Sequence, residues 1–224
     1  MFDSAMKITM YMASPIATTG FIYLDGLLAA AVMKEKLGHE YYDIKPNEQE
    51  LADIELPLKK KYGVWCASIG FGNNREAISS WSKRWDDKND DIVKFEGKGK
   101  ARVDIGSGHF KNYHMPLVIK SYKTINFYAK GDIKEVERLL TTYITHIGKK
   151  ASQGYGEILN MKFEEIDEDY SQFKGGRPTR PIPVSQYPEY KEWCFENDIP
   201  MAIVKHPIKP PYWRTDCIEF CYMP

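Results

Sequence analysis

The sequence predicts an α+β protein built on a ferredoxin-like core in the order β-α-β-β-α-β. Three observations carry that expectation. Four short segments alternate or cluster apolar residues as strands do, and two others place them at helical spacing. A long irregular stretch falls between the second and third strands and reads as an insertion. A glycine-rich loop separates the second helix from the last strand.

Residues 6–12 (MKITMYM) mix apolar and β-favouring side chains and read as the first strand, stopped by Ala13, Ser14 and Pro15. The run LDGLLAAAVMKEKLG follows as a helix. Asp25 is its expected N-cap, Lys34 and Lys36 suit its negative end, and Gly38 is its stop. A polar connector over 39–53 leads to 62–71 (YGVWCASIGF), the expected second strand, buried on at least one face. Residues 72–122 form the insertion. It holds Trp81, Trp85, an acidic run from Asp86 to Asp91, and KFEGKGKARV, where Lys94, Lys98, Lys100 and Arg102 alternate as on a charged hairpin. His109, Lys111, Tyr113 and His114 follow in GHFKNYH.

Residues 124–129 (TINFYA) read as the third strand. Asp132 and Glu135 have the spacing of a capping box. The helix it opens is expected over 133–147, with Val136, Leu139, Leu140, Tyr143, Ile144 and Ile147 on one face. The last strand, 157–166, sets Leu159, Met161 and Phe163 against Ile158, Asn160 and Lys162. Residues 1–170 therefore make the core with its insertion. Residues 171–224, rich in proline and scattered aromatics, read as an irregular C-terminal extension packed on it.

Net charge is zero and the pI is about 7.0, so any nucleic-acid contact must come from local patches. The 43% hydrophobic content says globular rather than disordered. Nothing ahead of the first strand reads as a signal peptide, so Cys66, Cys194, Cys217 and Cys221 are expected reduced, in a cytosolic setting. Cys217 and Cys221, with Cys194 and His206, lack the second tight pair of a structural zinc site, and no metal or other cofactor is expected. No apolar run approaches the roughly 20 residues that span a bilayer, so no membrane contact is expected.

The chemistry concentrates in the loop Gly148, Lys149, Lys150, Ala151, Ser152, Gln153, Gly154, Tyr155, Gly156. Its glycines permit positive φ and close backbone approach. The lysines supply charge, Ser152 and Gln153 supply hydrogen-bond donors, and Tyr155 a ring to stack on a base. Two readings stand side by side: Gly148 as the C-cap of the preceding helix, and the loop as a cradle for a phosphate backbone.

Three stretches extend the second reading: FIYLDGLLA at 21–29, HIGKKASQGYG at 146–156, and the tail segments RPIP at 180–183 and KPPYW at 209–213. With the element order, this set resembles the RAMP superfamily of CRISPR-associated RNA-binding proteins, whose core is RRM-like. It is most similar to the type IV effector subunit of the Cas-five-like group. The resemblance implies a subunit that binds the 5′ handle of a CRISPR RNA and caps a filament of backbone subunits, in a prokaryotic cytoplasm. It implies contact with backbone and large subunits, and with target DNA through the complex. The insertion at 72–122 would be a thumb that folds over the RNA, with the acidic run turned to solvent or another subunit.

The RNA-contacting candidates are then Gly148, Lys149, Lys150, Ser152, Gln153, Gly154, Tyr155 and Gly156 from the loop. Lys98, Lys100 and Arg102 join them from the insertion, and Arg177 and Arg180 from the tail. Tyr212 and Trp213 read first as packing anchors and then as stacking platforms, with Arg214 beside them. A processing endoribonuclease is the alternative, with His109, Lys111, Tyr113 and His114 as the acid-base types. His146, at the expected end of the second helix, reads as a dipole partner. Because a separate subunit is expected to process the RNA in type IV systems, the expectation is no catalysis. A protein-binding module without RNA is the third reading.

Overall fold

The computed structural model describes residues 4–43, 54–92 and 103–224. In chain order the elements are β1 (Ser4–Met12), β2 (Ile16–Ala17), α1 (Leu24–Leu37), β3 (Lys60–Lys61), β4 (Val64–Trp65) and β5 (Asn74–Lys83). There follow β6 (Tyr113–Tyr122), β7 (Thr124–Gly131), α2 (Ile133–Tyr143) and β8 (Ile158–Glu165). The C-terminal part adds β9 (Phe173–Lys174), β10 (Arg177–Pro178), β11 (Ile182–Pro183), α3 (Glu189–Glu196), β12 (Ile203–Pro207) and β13 (Ile218–Tyr222). The protein is thus mixed α/β, with three α-helices and several small antiparallel sheets among the described residues.

The central sheet has the order β7-β1-β8, with β1 antiparallel to both neighbours. Alternation along β1 buries Met6, Ile8 and Met10 completely, and along β7 Ile125, Phe127 and Ala129. Against that face pack Leu24, Leu28 and Val32 of α1 and Val136, Leu139 and Leu140 of α2. Each such side chain contributes about 1.5–3 kcal/mol of burial, so this layer is the core. Asp132 caps α2 as its spacing predicts, accepting from the N–H groups of Lys134 and Glu135 at 3.1 and 3.2 Å. Only half of the capping box forms: the Glu135 carboxylate turns instead to Arg138, which also forks onto Glu35 of α1. Lys34 Nζ closes the far end of α2 by donating to the Tyr143 carbonyl at 2.9 Å.

Several element predictions change. Residues 62–71 do not form one strand, because Tyr62 (φ 53°) and Gly63 (φ 69°) turn the chain and fold β4 back on β3. The remainder still runs beside the free edge of β7, through bridges Ala67–Ala129 and Phe71–Asn126. In β8 a register shift opposite Met12 turns Leu159 outward, leaving it 74% exposed, while Ile158 takes its place against the core. Residues 171–224 carry more regular structure than their prolines suggest. A three-stranded sheet, β11-β13-β12, and α3 enclose a second small core of Val64, Ile182, Tyr190, Cys194 and Tyr222.

The insertion also proves more regular than expected. β5 and β6 pair over ten residues each, from Asn74–Tyr122 to Lys83–Tyr113, as a long antiparallel arm. Pro116 sits inside β6 without disturbing it. β2 covers β6 only at Ile119 and Lys120, so the missing N–H faces no partner strand.

Candidate nucleic-acid interface

The glycine loop is not a helix cap. α2 ends at Tyr143, and the chain then extends, so that Ile147 N–H donates to the Gly156 carbonyl at 2.9 Å and Ile158 N–H to the Thr145 carbonyl at 2.9 Å. His146 pairs with Glu157 in this short neck, outside any helix, so it has no dipole to complement. Gly148 and Gly156 make the neck possible. Their φ angles are +85° and +73°, and a β-carbon on Gly156 would stand 1.8 Å from the Ile147 oxygen. A β-carbon on Gly148 would meet Ile16 and the Ala17 oxygen at 2.6 and 2.8 Å. These glycines let the loop lie directly on β2, where Lys149 N–H donates to the Ala17 carbonyl and Gly156 N–H to the Pro15 carbonyl, both at 2.8 Å.

Because β2 also pairs with β6, it seats the loop beside the β5–β6 arm. A cavity of about 280 Å³ opens between them, lined by Thr18, Thr19, Trp81, Tyr113, Met115, Leu117, Lys149 and Lys150, among others. Lys150 Nζ lies 3.9 Å from the centre of the Trp81 ring. The Trp81 indole N–H donates to the Tyr113 hydroxyl at 2.8 Å, which fixes the ring's orientation. Among the described residues no carboxylate pairs with Lys149 or Lys150. At the tip, Lys150 is left-handed (φ 65°, ψ 33°) and Ala151–Gln153 a single 3-10 turn. A left-handed residue leading into a right-handed turn is the backbone sequence of an anion-binding nest. Ser152, Gln153 and Gly154 are exposed, and Tyr155 is half-buried at the rim.

The other sequence candidates do not join this groove. Lys98, Lys100 and Arg102 lie outside the described residues. Arg177 is exposed on the β9–β10 hairpin, away from the groove lining. Arg180 is fully buried and cannot meet a ligand at the surface. Its guanidinium donates to the carbonyls of Trp65 and Ala67 at 2.5 and 3.0 Å and to Asp25 Oδ2 at 3.1 Å. Burial opposes its charge, but Asp25 and the Tyr212 hydroxyl outweigh that and hold its pKa above the usual range. Asp25 is accordingly no N-cap. Tyr23 takes that place without a side-chain bond, and the Asp25 carboxylate sits buried in the first turn. Tyr212 donates to Asp25 and stacks on Tyr23 with ring centres 3.9 Å apart, so it anchors the tail. Trp213, 58% exposed, borders a separate apolar cleft against α1, and Arg214 is paired with Asp216.

Of the acid-base types in GHFKNYH, Tyr113 alone lines the groove. His114, the next residue on β6, points to the opposite face and meets Ser82 at 2.6 Å. His109 packs on Phe110. Cys194 is buried in the small core, and the Cys221 thiol donates to the His206 carbonyl. Among the described residues no three His, Cys, Asp or Glu side chains gather as a metal set, and no helix is long and apolar enough to cross a membrane.

The groove's aromatic wall was missed because 74–83 lacks a clean apolar alternation. Its signal was present only as Ser79, Trp81 and Lys83 at strand spacing, opposite Leu117, Met115 and Tyr113. No curated protein matches the chain. A conserved family profile does, over residues 4–224, in keeping with the resemblance to the Cas-five-like group, and the chain belongs to that family, CRISPR type IV associated protein Csf3.

Proposed function

We propose that the chain is a non-catalytic RNA-binding subunit of a type IV CRISPR effector complex, holding the 5′ handle of the CRISPR RNA beside backbone subunits. The observation that carries this reading is the convergence of Lys149, Lys150 and Trp81 on one groove, with no carboxylate among the described residues to neutralise the lysines. Cations beside an aromatic ring are what a single-stranded phosphate chain with splayed bases requires. The order β8-β1-β7, with 58–71 at the β7 edge, supports a ferredoxin-like core of RAMP type. In that core the β5–β6 arm is the thumb. The separation of His109 and His114 from the groove supports a binding rather than a cleaving role, since acid-base cleavage needs donor and acceptor around one phosphate.

The test is handle RNA binding by the Lys149→Glu/Lys150→Glu variant, with the RNA taken from the assembled complex. Affinity should fall at least about tenfold, and the salt dependence should flatten by about 1.5 in slope. Binding equal to wild type would refute the loop as the RNA site. Precursor RNA incubated with the protein in EDTA addresses the enzyme alternative: cleavage that disappears in His109→Ala or His114→Ala would replace this reading.

A further inference from the structure

Trp81 is poorly explained as packing. It lies on a two-stranded part of the arm and takes no part in either buried core. Its strand neighbour on the same face, Met115, is 55% exposed. Together with Leu117, two residues along β6 on the same face, they give the groove an apolar wall facing the two lysines. A site built only for phosphate has no use for such a wall, since an ion that loses its hydration against apolar surface gains no hydrogen bond in return.

The ring is also held in a set pose. Its single donor is spent on the Tyr113 hydroxyl at 2.8 Å, and the Lys150 ammonium sits over its π-face at 3.9 Å. An indole whose N–H is already used cannot read the edge of a base by hydrogen bonding. When Lys150 turns from the ring to a phosphate, the face it leaves can take a base, and every base has a π-face to lay against it. The cavity, about 280 Å³, is at the small end for a ligand cleft and suits one nucleotide. Stacking on a side chain requires a base already free of its neighbours, which excludes duplex.

Resting on the proposal that this groove binds RNA, we infer that Trp81 is a stacking platform for one unpaired base, insensitive to base identity, while Lys149 and Lys150 hold the adjoining phosphates. Such a platform makes the groove prefer a base-bearing strand to a bare polyanion.

The experiment compares two probes on the full chain by fluorescence anisotropy: a labelled oligouridylate of about eight nucleotides and a ribose-phosphate oligomer of equal length without bases. Wild type should bind the oligouridylate about ten- to hundredfold more tightly than the baseless chain, and an oligoadenylate no more weakly than the oligouridylate. Trp81→Leu should lose that preference while keeping its affinity for the baseless chain and its salt slope. Trp81→Phe should retain most of the preference, which separates stacking from a folding defect. If Trp81→Leu discriminates the two probes as wild type does, the platform is refuted and the lysine site stands. A lower salt slope in Trp81→Leu also refutes it, because the ring would then serve only to seat Lys150. If wild type binds neither probe, the RNA reading of the groove falls with it.

Discussion

Two clusters of the same chemistry, cations beside aromatic rings, meet opposite fates in this protein. At Asp25, Arg180, Tyr212 and Tyr23 the charge is sealed inside. At Lys149, Lys150, Trp81 and Tyr113 it opens onto a groove. The buried cluster has an internal counter-ion and takes nearly every guanidinium hydrogen to a protein acceptor. Only Arg180 Nε lacks a partner among the described residues. The groove has cations without a counter-ion among the described residues. The difference teaches that a basic residue next to an aromatic stays available to an outside anion only where the protein itself supplies no carboxylate.

The contrast can be broken most forcefully at Arg180. Arg180→Met strands a buried carboxylate, and the unfolding free energy should drop by about 3–5 kcal/mol in urea titrations. Adding Asp25→Asn should return much of that loss. Intact stability with weakened RNA binding would instead make Arg180 a ligand residue and erase the distinction. A smaller effect is expected from the loop's own frame. Gly156→Ala, which drives a β-carbon into the Ile147 carbonyl, should destabilise by more than about 2 kcal/mol. At Gly154 a β-carbon meets open space, and Gly154→Ala should cost only about 1 kcal/mol, the strain of its positive φ.

Alkaline titration sharpens the comparison from the buried side. Burial pushes the Cys221 thiol up to about 11 from its ordinary 9.0 and raises the Tyr23 and Tyr212 hydroxyls, against the partial relief of nearby Arg180. Raised groups keep their protons in the folded state. Stability is therefore full below pH 9 and declines as pH climbs toward 11, by about 1 kcal/mol at pH 10 for the thiol. Cys221→Ala should remove that share of the slope. Smallest of all should be the stability change in Lys149→Glu/Lys150→Glu, within about 0.5 kcal/mol, since Lys149 is exposed, Lys150 is half-buried, and neither pairs with a carboxylate among the described residues. A large loss of stability there would mean that the Lys150–Trp81 contact holds the arm in place.

Much of the framework was legible because it is local. Alternation along 6–12 and 124–129 and the 3–4 spacing from Val136 to Leu140 depend on neighbours a few residues away. So does the Asp132 cap. Expectations failed where distant contacts overrode local preference. Helical spacing carries the expected second helix on to Ile147 through Ile144, yet both are buried from an extended segment that pairs with 156–158. Asp25 looked like a cap until Arg180 drew it into the interior.

The sequence by itself determined the first and third core strands, the two helices that pack on them, and the glycine loop with its charge, since these follow from backbone preference and periodicity. Only the tertiary structure decided which cations open onto a groove and which are sealed inside. Arg180 and Lys150 are alike as letters, and their separation depends on whether a carboxylate or a tryptophan from a remote segment folds against them. Desolvation and charge pairing are properties of that assembled neighbourhood, so no window of sequence contains them.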